Sequence, residues 1–362
     1  MIIPIILVVI GLVLLIKGSN YVVESAVRIS KALGISEFVI GMTIVALGTS
    51  LPELASSLMG AFANDSAFVL GDIIGSNIAN LTLVLGGALL FGTIAVRKHV
   101  LKSSFVMAIV SIIFLLFCID GVVFWYEGLI MLLFLIFYLF YLNKPEELQE
   151  KTKVTSYLNH FYHLRGFVIF ENYKVFFKKL FSFSTYMSVF KRFFKFKTTT
   201  GKIEYIKKEI KEDPFIDIIV LLIGIGIIYL GAKATVLGAI DLANLFGITT
   251  NFISLTIVAL GTSLPELAVS LTAMRKGLGD ILLGNLIGSN ISNILLVGGL
   301  SALVIPLKVL STTLLFTLPF MLGVAFFLVL LLKVFKNLKL FHGIILLMFY
   351  VSFLGLIVYI VL

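Results

Sequence analysis

The chain has 362 residues, of which 60% are hydrophobic and only 13% are charged, and its mean hydropathy is +1.15. A soluble domain cannot hide that much apolar surface, so the composition predicts a polytopic membrane protein and excludes an ordinary soluble enzyme or binding module. The one cysteine, Cys118, allows no disulfide framework, and the four histidines are not spaced as a metal site.

Apolar runs separated by charged or turn-rich breaks follow one another along most of the chain. Cutting at the breaks gives ten spans, each near the roughly 20 residues that a helix needs to cross a bilayer. The first run is interpreted as a retained helix, because it lacks the basic start and small-residue cleavage site of a signal peptide. The predicted spans are 2–29, 36–62, 67–92, 102–118, 122–142, 216–243, 249–275, 280–304, 310–332 and 340–361.

One substantial polar stretch divides these spans into two sets of five. The predicted organisation is a first transmembrane repeat at 1–143, a basic and aromatic loop at 144–214, and a second transmembrane repeat at 215–362. Within the loop, residues 172–197 interleave basic and aromatic side chains, which is typical of a segment lying on an anionic lipid leaflet. A regulatory or calmodulin-like target in this segment is the less favoured interpretation.

The basic residues predict the orientation of the spans. If the N-terminus is extracellular, 25 of the 28 Lys and Arg residues fall in cytoplasmic loops, Lys308 alone falls outside, and Lys17 and Lys233 lie within spans. This positive-inside bias predicts a multi-pass membrane protein with both termini extracellular and the central loop cytoplasmic. The compact two-repeat form with a short loop favours the plasma membrane of a prokaryote. Topology thus explains the net charge of +9, and no nucleic-acid partner is needed.

An internal repeat relates the two halves. A constant offset of 213 aligns residues 18–86 with 231–299 without a gap. The thirteen residues TIVALGTSLPELA occur twice, and each copy is followed by GSNI on the next span. Because each repeat holds an odd number of spans, the halves must insert in opposite orientations. The predicted fold is therefore all-α, with ten transmembrane helices as two inverted five-helix repeats, the usual plan of a secondary transporter.

The repeated segments place two carboxyl groups, those of Glu53 and Glu266, inside apolar spans. A charge at that depth costs at least about 2.5 kcal/mol, so it normally faces a cavity or a counter-charge. Pro52 and Pro265 lack an N–H donor and are expected to interrupt their helices and leave carbonyl oxygens free. Carboxylates, hydroxyls and carbonyls together suit a hard cation such as calcium, and the absence of neighbouring His or Cys argues against zinc or copper.

A second polar stripe lies on the third span. Asp72, Ser76 and Asn80 follow one another at every fourth position and therefore share one helical face. The repeat gives the eighth span the matching residues Asn285, Ser289 and Asn293. Small polar residues also serve helix packing in membranes, but their repetition in both halves favours cavity lining. Asp72 departs from the symmetry, and the sequence allows it to lie in the site or at its mouth.

The paired GTSLPE and GSNI segments resemble the alpha repeats of the sodium/calcium exchangers in the cation/calcium antiporter superfamily. The resemblance implies an antiporter that is not an enzyme, uses no cofactor, and transports Na⁺ and Ca²⁺ while its first and sixth helices slide across the remaining bundle. It also implies that calcium is bound by two carboxylates and two carbonyls, with sodium ligands around them. The implied cation ligands are Glu53, Glu266, Thr49, Thr262, Ser50, Ser263, Ala46, Ala259, Ser76, Ser289, Asn80 and Asn293.

Several alternatives stay open beside Na⁺/Ca²⁺ exchange. Exchange of Ca²⁺ for H⁺, or of another divalent cation for Na⁺, uses the same fold and carboxylates. Asn293 stands where several family members, including the potassium-dependent branch, have an aspartate, which argues against a potassium requirement. An intramembrane enzyme is disfavoured because Gly, Thr, Ser and Pro surround each glutamate and supply no separate nucleophile. A passive channel would need no counter-ion, and nothing in the sequence implies an oligomer.

Overall fold

The computed structural model describes residues 2–33, 35–142, 189, 214–245 and 259–361. Within these ranges, eight helices are long and apolar enough to cross a membrane, and two shorter helices that meet at 43° form a ninth, bent span. The remaining predicted span, 249–275, lies partly outside the described residues, and so does the 172–197 segment apart from Val189. The all-α polytopic fold is confirmed.

The helices repeat in the same order in both halves, with α3 and α9 equal in length and related by the offset of 213. The first half contains α1 (Ile2–Leu33), α2 (Glu37–Thr49), α3 (Leu51–Phe62), α4 (Ser66–Leu89), α5 (Lys98–Cys118) and α6 (Trp125–Leu142). The second half contains α7 (Pro214–Leu245), α8 (Ala259–Thr262), α9 (Leu264–Arg275), α10 (Gly279–Val304), α11 (Thr313–Val334) and α12 (Leu340–Val361).

The bent span breaks at Ser50, between α2 and α3. Ser50 has φ −84° and ψ 5°, and its counterpart Ser263 has φ −84° and ψ 2°, so both repeats break in the same way. The expectation that the prolines interrupt a continuous helix is therefore corrected. Pro52 and Pro265 lie in the first turn of α3 and α9, where a missing N–H leaves no internal hydrogen bond unmade.

Within the described ranges, four strands of two residues connect the loops between the spans, and none of them was predicted from the sequence. They are β1 (Ile94–Ala95), β2 (Val122–Val123), β3 (Leu307–Lys308) and β4 (Asn337–Leu338), with β1 pairing antiparallel to β4 and β2 to β3. Because α5 separates β1 from β2, the two pairs lie at opposite ends of the bundle. The strands β1 and β3 are repeat counterparts, so their positions at opposite ends confirm the inversion of the two halves.

Helices α1 and α7 pack against each other through glycines at seven-residue spacing. A Cβ atom added at Gly11 would lie 2.7 Å from the Gly231 carbonyl oxygen, and one at Gly18 would lie 2.9 Å from the Gly224 carbonyl oxygen. Such contacts require backbones that nearly touch, as small residues permit in membrane helix pairs. The α1–α7 pair is therefore a closely packed unit, and it rests against the remaining bundle mainly through α9 and α2.

Candidate cation-binding site

The two glutamates lie just after the two span breaks, where the broken spans pass α4 and α10. Glu53 is in the first turn of α3 and Glu266 in the first turn of α9, and their exposed fractions are 1% and 0%. Among the described residues, neither carboxylate takes part in a salt bridge. Two buried carboxylates without a basic partner are costly in a membrane protein unless something else compensates their charge.

Residues of both repeats meet at Glu266. Ser289 of α10 lies with its Oγ 3.3 Å from Glu266 Oε1, and Ser50 of the first repeat lies with its Oγ 3.5 Å from the same oxygen. The hydroxyl oxygens of Thr49 and Ser289 are 3.3 Å apart, and Ser289 Oγ is 3.4 Å from the Ala46 carbonyl oxygen. The structure thus brings together five of the residues that the sequence predicted as ligands.

Several other predicted ligands have buried polar atoms without a hydrogen-bond partner in the described part of the chain. These atoms are both carboxylate oxygens of Glu53, Oε2 of Glu266, Oδ1 of Asn80, Oγ of Ser263, and both side-chain polar atoms of Asn293. Buried polar atoms are normally satisfied, so unpartnered ones call for a ligand, an ion or water. The presence of unpartnered polar atoms at several predicted ligand positions is what an unsatisfied cation site would show.

The remaining predicted ligands lie on α4, α8 and α10. Ser76 is 2% exposed on α4, Thr262 ends α8, and Ala259 begins it. Asn80 and Asn293 each begin a π-helical turn, Asn80–Val84 and Asn293–Gly298, a local irregularity that is frequent at functional sites.

Three further buried polar residues lie around the site: Asn285, which the polar stripe predicted as cavity lining, and Asn77 and Asn290, which were not predicted. Asn285 Oδ1 accepts a hydrogen bond from Thr49 Oγ1 at 3.1 Å, and Asn290 Oδ1 accepts one from Asn80 Nδ2 at 3.1 Å. Asn290 Nδ2 in turn donates to the Asn77 carbonyl oxygen at 3.3 Å. Asn77 and Asn290 belong to the two GSNI segments, so the repeat itself was a signal that could have identified them.

The chemistry of this set is that of oxygen donors. It combines two carboxylates with hydroxyl, amide and backbone carbonyl oxygens, which hard cations prefer. The described residues contain no group of three or more His, Cys, Asp or Glu side chains that could hold a metal ion. Inverted repeats with paired broken spans and a buried oxygen-lined site at their crossing define the secondary transporters.

Comparison with known proteins identifies the family. The family described as sodium/calcium exchanger protein matches residues 3–143 and 216–359, and the chain belongs to this family. It is 40% identical over 353 residues to the sodium/calcium exchanger MaX1 of Methanosarcina acetivorans, covering 97% of each protein. It is 36% identical over 122 residues to the human sodium/potassium/calcium exchanger 2, covering 33% of this chain and 18% of that protein.

A solved structure has the same fold. The sodium-calcium exchanger NCX_Mj, determined after soaking with Na⁺ and Sr²⁺, matches with a TM-score of 0.73 and 27% identity over 98% of both chains. The family and fold implied by the repeated motifs are thereby confirmed.

Proposed function

We propose that the protein is a secondary-active antiporter that exchanges Na⁺ for Ca²⁺ across the membrane, with Glu53 and Glu266 as its central cation ligands. The observation that carries this proposal is the pair of buried carboxylates, 1% and 0% exposed, that no basic residue neutralises in the described structure. The similarity to MaX1 and NCX_Mj, both named as sodium/calcium exchangers, supports the choice of ions.

Charge balance gives the physical reason for exchange. The two carboxylates carry a charge of about −2, which one calcium ion or several sodium ions can neutralise, so either occupant stabilises the buried site. Calcium would be held by the two carboxylates with the Thr49 and Thr262 carbonyls. Sodium would use the Ala46 and Ala259 carbonyls and the side chains of Ser50, Ser263, Ser76, Ser289, Asn80 and Asn293. Because the sets share one cavity, the ions compete.

Movement of the α1–α7 unit past the remaining bundle would expose this cavity to each side in turn. An empty site keeps two repelling carboxylates in an apolar surrounding, which opposes the movement. Neutralisation by either cation removes that penalty. This coupling of movement to occupancy makes the protein an exchanger and not a channel.

The proposed orientation places the basic ends of the helices in the cytoplasm of the cell. Arg28 Nε lies 2.6 Å from Asp217 Oδ1, joining the end of α1 to the start of α7, and Arg97 pairs with Asp280. Lys276 Nζ lies 2.5 Å from Glu24 Oε1. These contacts lie at one end of the bundle. They join the segments that the positive-inside rule assigns to the cytoplasm.

The test is uptake of radioactive calcium into proteoliposomes loaded in turn with sodium, with potassium, or with a proton gradient. We expect uptake only with an outward sodium gradient, and its loss in the Glu53→Gln/Glu266→Gln double variant. Undiminished transport by that variant would overturn the ligand assignment. Uptake driven by protons alone would instead assign the protein to Ca²⁺/H⁺ exchange through the same carboxylates.

A further inference from the structure

A third carboxylate, that of Asp72, lies close to the site without belonging to it. Ser57 Oγ donates a hydrogen bond to Asp72 Oδ2 at 2.7 Å. Ser57 follows Glu53 by one turn on α3, and Asp72 precedes Ser76 by one turn on α4. Asp72 therefore lies about one helical turn, or about 5.4 Å along α4, from Ser76, and its partner Ser57 lies about one turn from Glu53 along α3. It is partly exposed, whereas Ser57 is fully buried.

The repeat provides a neutral counterpart to this pair. The residues equivalent to Ser57 and Asp72 are Ser270 and Asn285, and both are 0% exposed. Asn285 carries no charge, and its Oδ1 is already bonded to Thr49 Oγ1 at 3.1 Å. With the Asp72 side and the Asn285 side as the two approaches to the site, one approach carries a carboxylate and the other carries a buried amide.

The contacts of the two helix starts show that these approaches lie at opposite ends of the bundle. α4, which carries Asp72, begins at Ser66, whose Oγ is 3.4 Å from the Pro306 carbonyl oxygen beside β3. α10, which carries Asn285, begins near Asp280, which pairs with Arg97 beside β1. The proposed orientation makes the Asp72 end extracellular and the Asn285 end cytoplasmic.

We propose that Asp72 is a specificity-determining residue that attracts cations to the Glu53/Glu266 site from the extracellular side only. This inference rests on the proposed cation exchange. A unit negative charge about one helical turn from the ion path lowers the energy of an arriving cation in proportion to the charge of that cation. The charge raises the local concentration of a monovalent cation by a certain factor. It raises the local concentration of a divalent cation by the square of that factor. At the dielectric constant of water, the factors are about 3 for Na⁺ and about 10 for Ca²⁺.

Two variants separate the charge of Asp72 from its hydrogen bond. Asp72→Asn removes the charge and keeps an oxygen that can accept from Ser57. Ser57→Ala removes the hydrogen bond and keeps the charge. Asn285→Asp places a carboxylate at the symmetry-related position and is the matched control for sidedness. Each variant is assayed for the half-saturating concentrations of Ca²⁺ and Na⁺ on each face, in membrane vesicles of both polarities.

We expect Asp72→Asn to raise the half-saturating Ca²⁺ concentration about 10-fold, and that of Na⁺ about 3-fold, only on the face where α4 begins. Ser57→Ala should leave both values near wild type, and Asn285→Asp should lower them on the opposite face. A change in Asp72→Asn that is equal on both faces, or equal for both ions, would overturn the inference.

A measurement on the wild type does not depend on the folding of any variant. Raising the ionic strength with choline chloride screens exposed charges, so it should weaken apparent Ca²⁺ affinity more on the Asp72 face than on the other. Equal weakening on both faces contradicts the inference while leaving the exchange activity intact. A wild type that exchanges no cations at all would instead overturn the proposed function.

Discussion

Glu53 and Glu266 lie in identical thirteen-residue segments, yet their surroundings differ. Glu266 Oε1 has the hydroxyl oxygens of Ser289 and Ser50 at 3.3 and 3.5 Å, whereas neither oxygen of Glu53 has a hydrogen-bond partner in another described residue. The repeat counterpart of Ser50 is Ser263, whose Oγ is buried without a partner. Identical sequence has therefore produced two different local environments.

The difference arises where the two repeats meet. Ser50 of the first repeat lies near the carboxylate of the second, whereas Ser263 of the second repeat makes no corresponding contact with Glu53 among the hydrogen bonds of the described residues.

The largest expected effect comes from neutralising either glutamate alone. Glu53→Gln or Glu266→Gln should each reduce sodium-driven calcium uptake at least about 100-fold, because a singly charged site cannot neutralise a divalent ion in an apolar surrounding. The measurement is initial uptake into sodium-loaded proteoliposomes.

Thermal unfolding in detergent without Na⁺ or Ca²⁺ distinguishes lost binding from lost folding. Glu53→Gln should raise the melting temperature more than Glu266→Gln, since no hydroxyl of the described residues is bonded to Glu53 to compensate its charge. The matched control is Glu127→Gln, because Glu127 Oε2 accepts from the Phe124 N–H at 2.7 Å at the start of α6, remote in sequence from both span breaks. If Glu53→Gln and Glu266→Gln raise the melting temperature equally, the two glutamates do not differ in how their charge is compensated.

The sequence indicated most of the residues that meet at the candidate site, because they are polar residues in apolar spans that occur twice, and their role as ligands stays a prediction. It could not indicate that Asn285 would bond to Thr49, since this contact depends on how α10 packs against α2 in three dimensions. Nor could it indicate which glutamate would receive hydroxyl neighbours, because the two segments are identical. That difference depends on residues outside the identical segments, which pack around each glutamate in three dimensions.

The fold was predictable to a similar extent. Hydropathy and the repeat predicted the spans and their inversion, because both depend on patterns over many residues. The interpretation of Pro52 was wrong in detail, since the break falls at Ser50 and the proline starts the next helix. The two-residue strands, such as Ile94–Ala95, are too short to carry a periodic signal.

A smaller effect is expected at the end of the bundle where α1 meets α9. Glu24 Oε1 lies 2.5 Å from Lys276 Nζ, and the counterparts of these residues in the repeat are Leu237 and Ala63. Only one of the two symmetry-related ends therefore has this ion pair. Lys276→Met should shift the equilibrium about 5-fold toward the state open at the Lys276 end, since a partly exposed pair contributes about 1 kcal/mol.

Thiol labelling of Ser270→Cys, in a Cys118→Ser background, measures that shift on the approach nearest to Lys276. Labelling should become about 5-fold faster when Lys276→Met is added. The charge-reversed pair Glu24→Lys/Lys276→Glu should return it toward the original rate. Unchanged labelling would mean that the ion pair forms equally well in both states.

An effect of similar size, on stability, separates the two serines of the GSNI segments. Ser289 contacts the Glu266 carboxylate, whereas its counterpart Ser76 has no such contact with Glu53 among the hydrogen bonds of the described residues. In the cation-free protein, Ser289→Ala should lower the free energy of unfolding by about 1 kcal/mol, and Ser76→Ala should change it less. Denaturant titration in detergent measures both, and equal losses would contradict the asymmetry.

The smallest expected effect concerns potassium. The Asn293 side chain is 0% exposed, and neither of its polar atoms has a partner among the described residues, so it offers an amide oxygen and adds no charge. Two carboxylates require only the charge of one calcium ion, and replacing K⁺ by choline should leave sodium-driven uptake unchanged. Asn293→Asp adds a third carboxylate, which a further monovalent cation must neutralise before the site can move. Calcium uptake by the Asn293→Asp variant should therefore depend on K⁺ or H⁺. If uptake by the wild type depended on K⁺, the two carboxylates would not set the charge balance of the site.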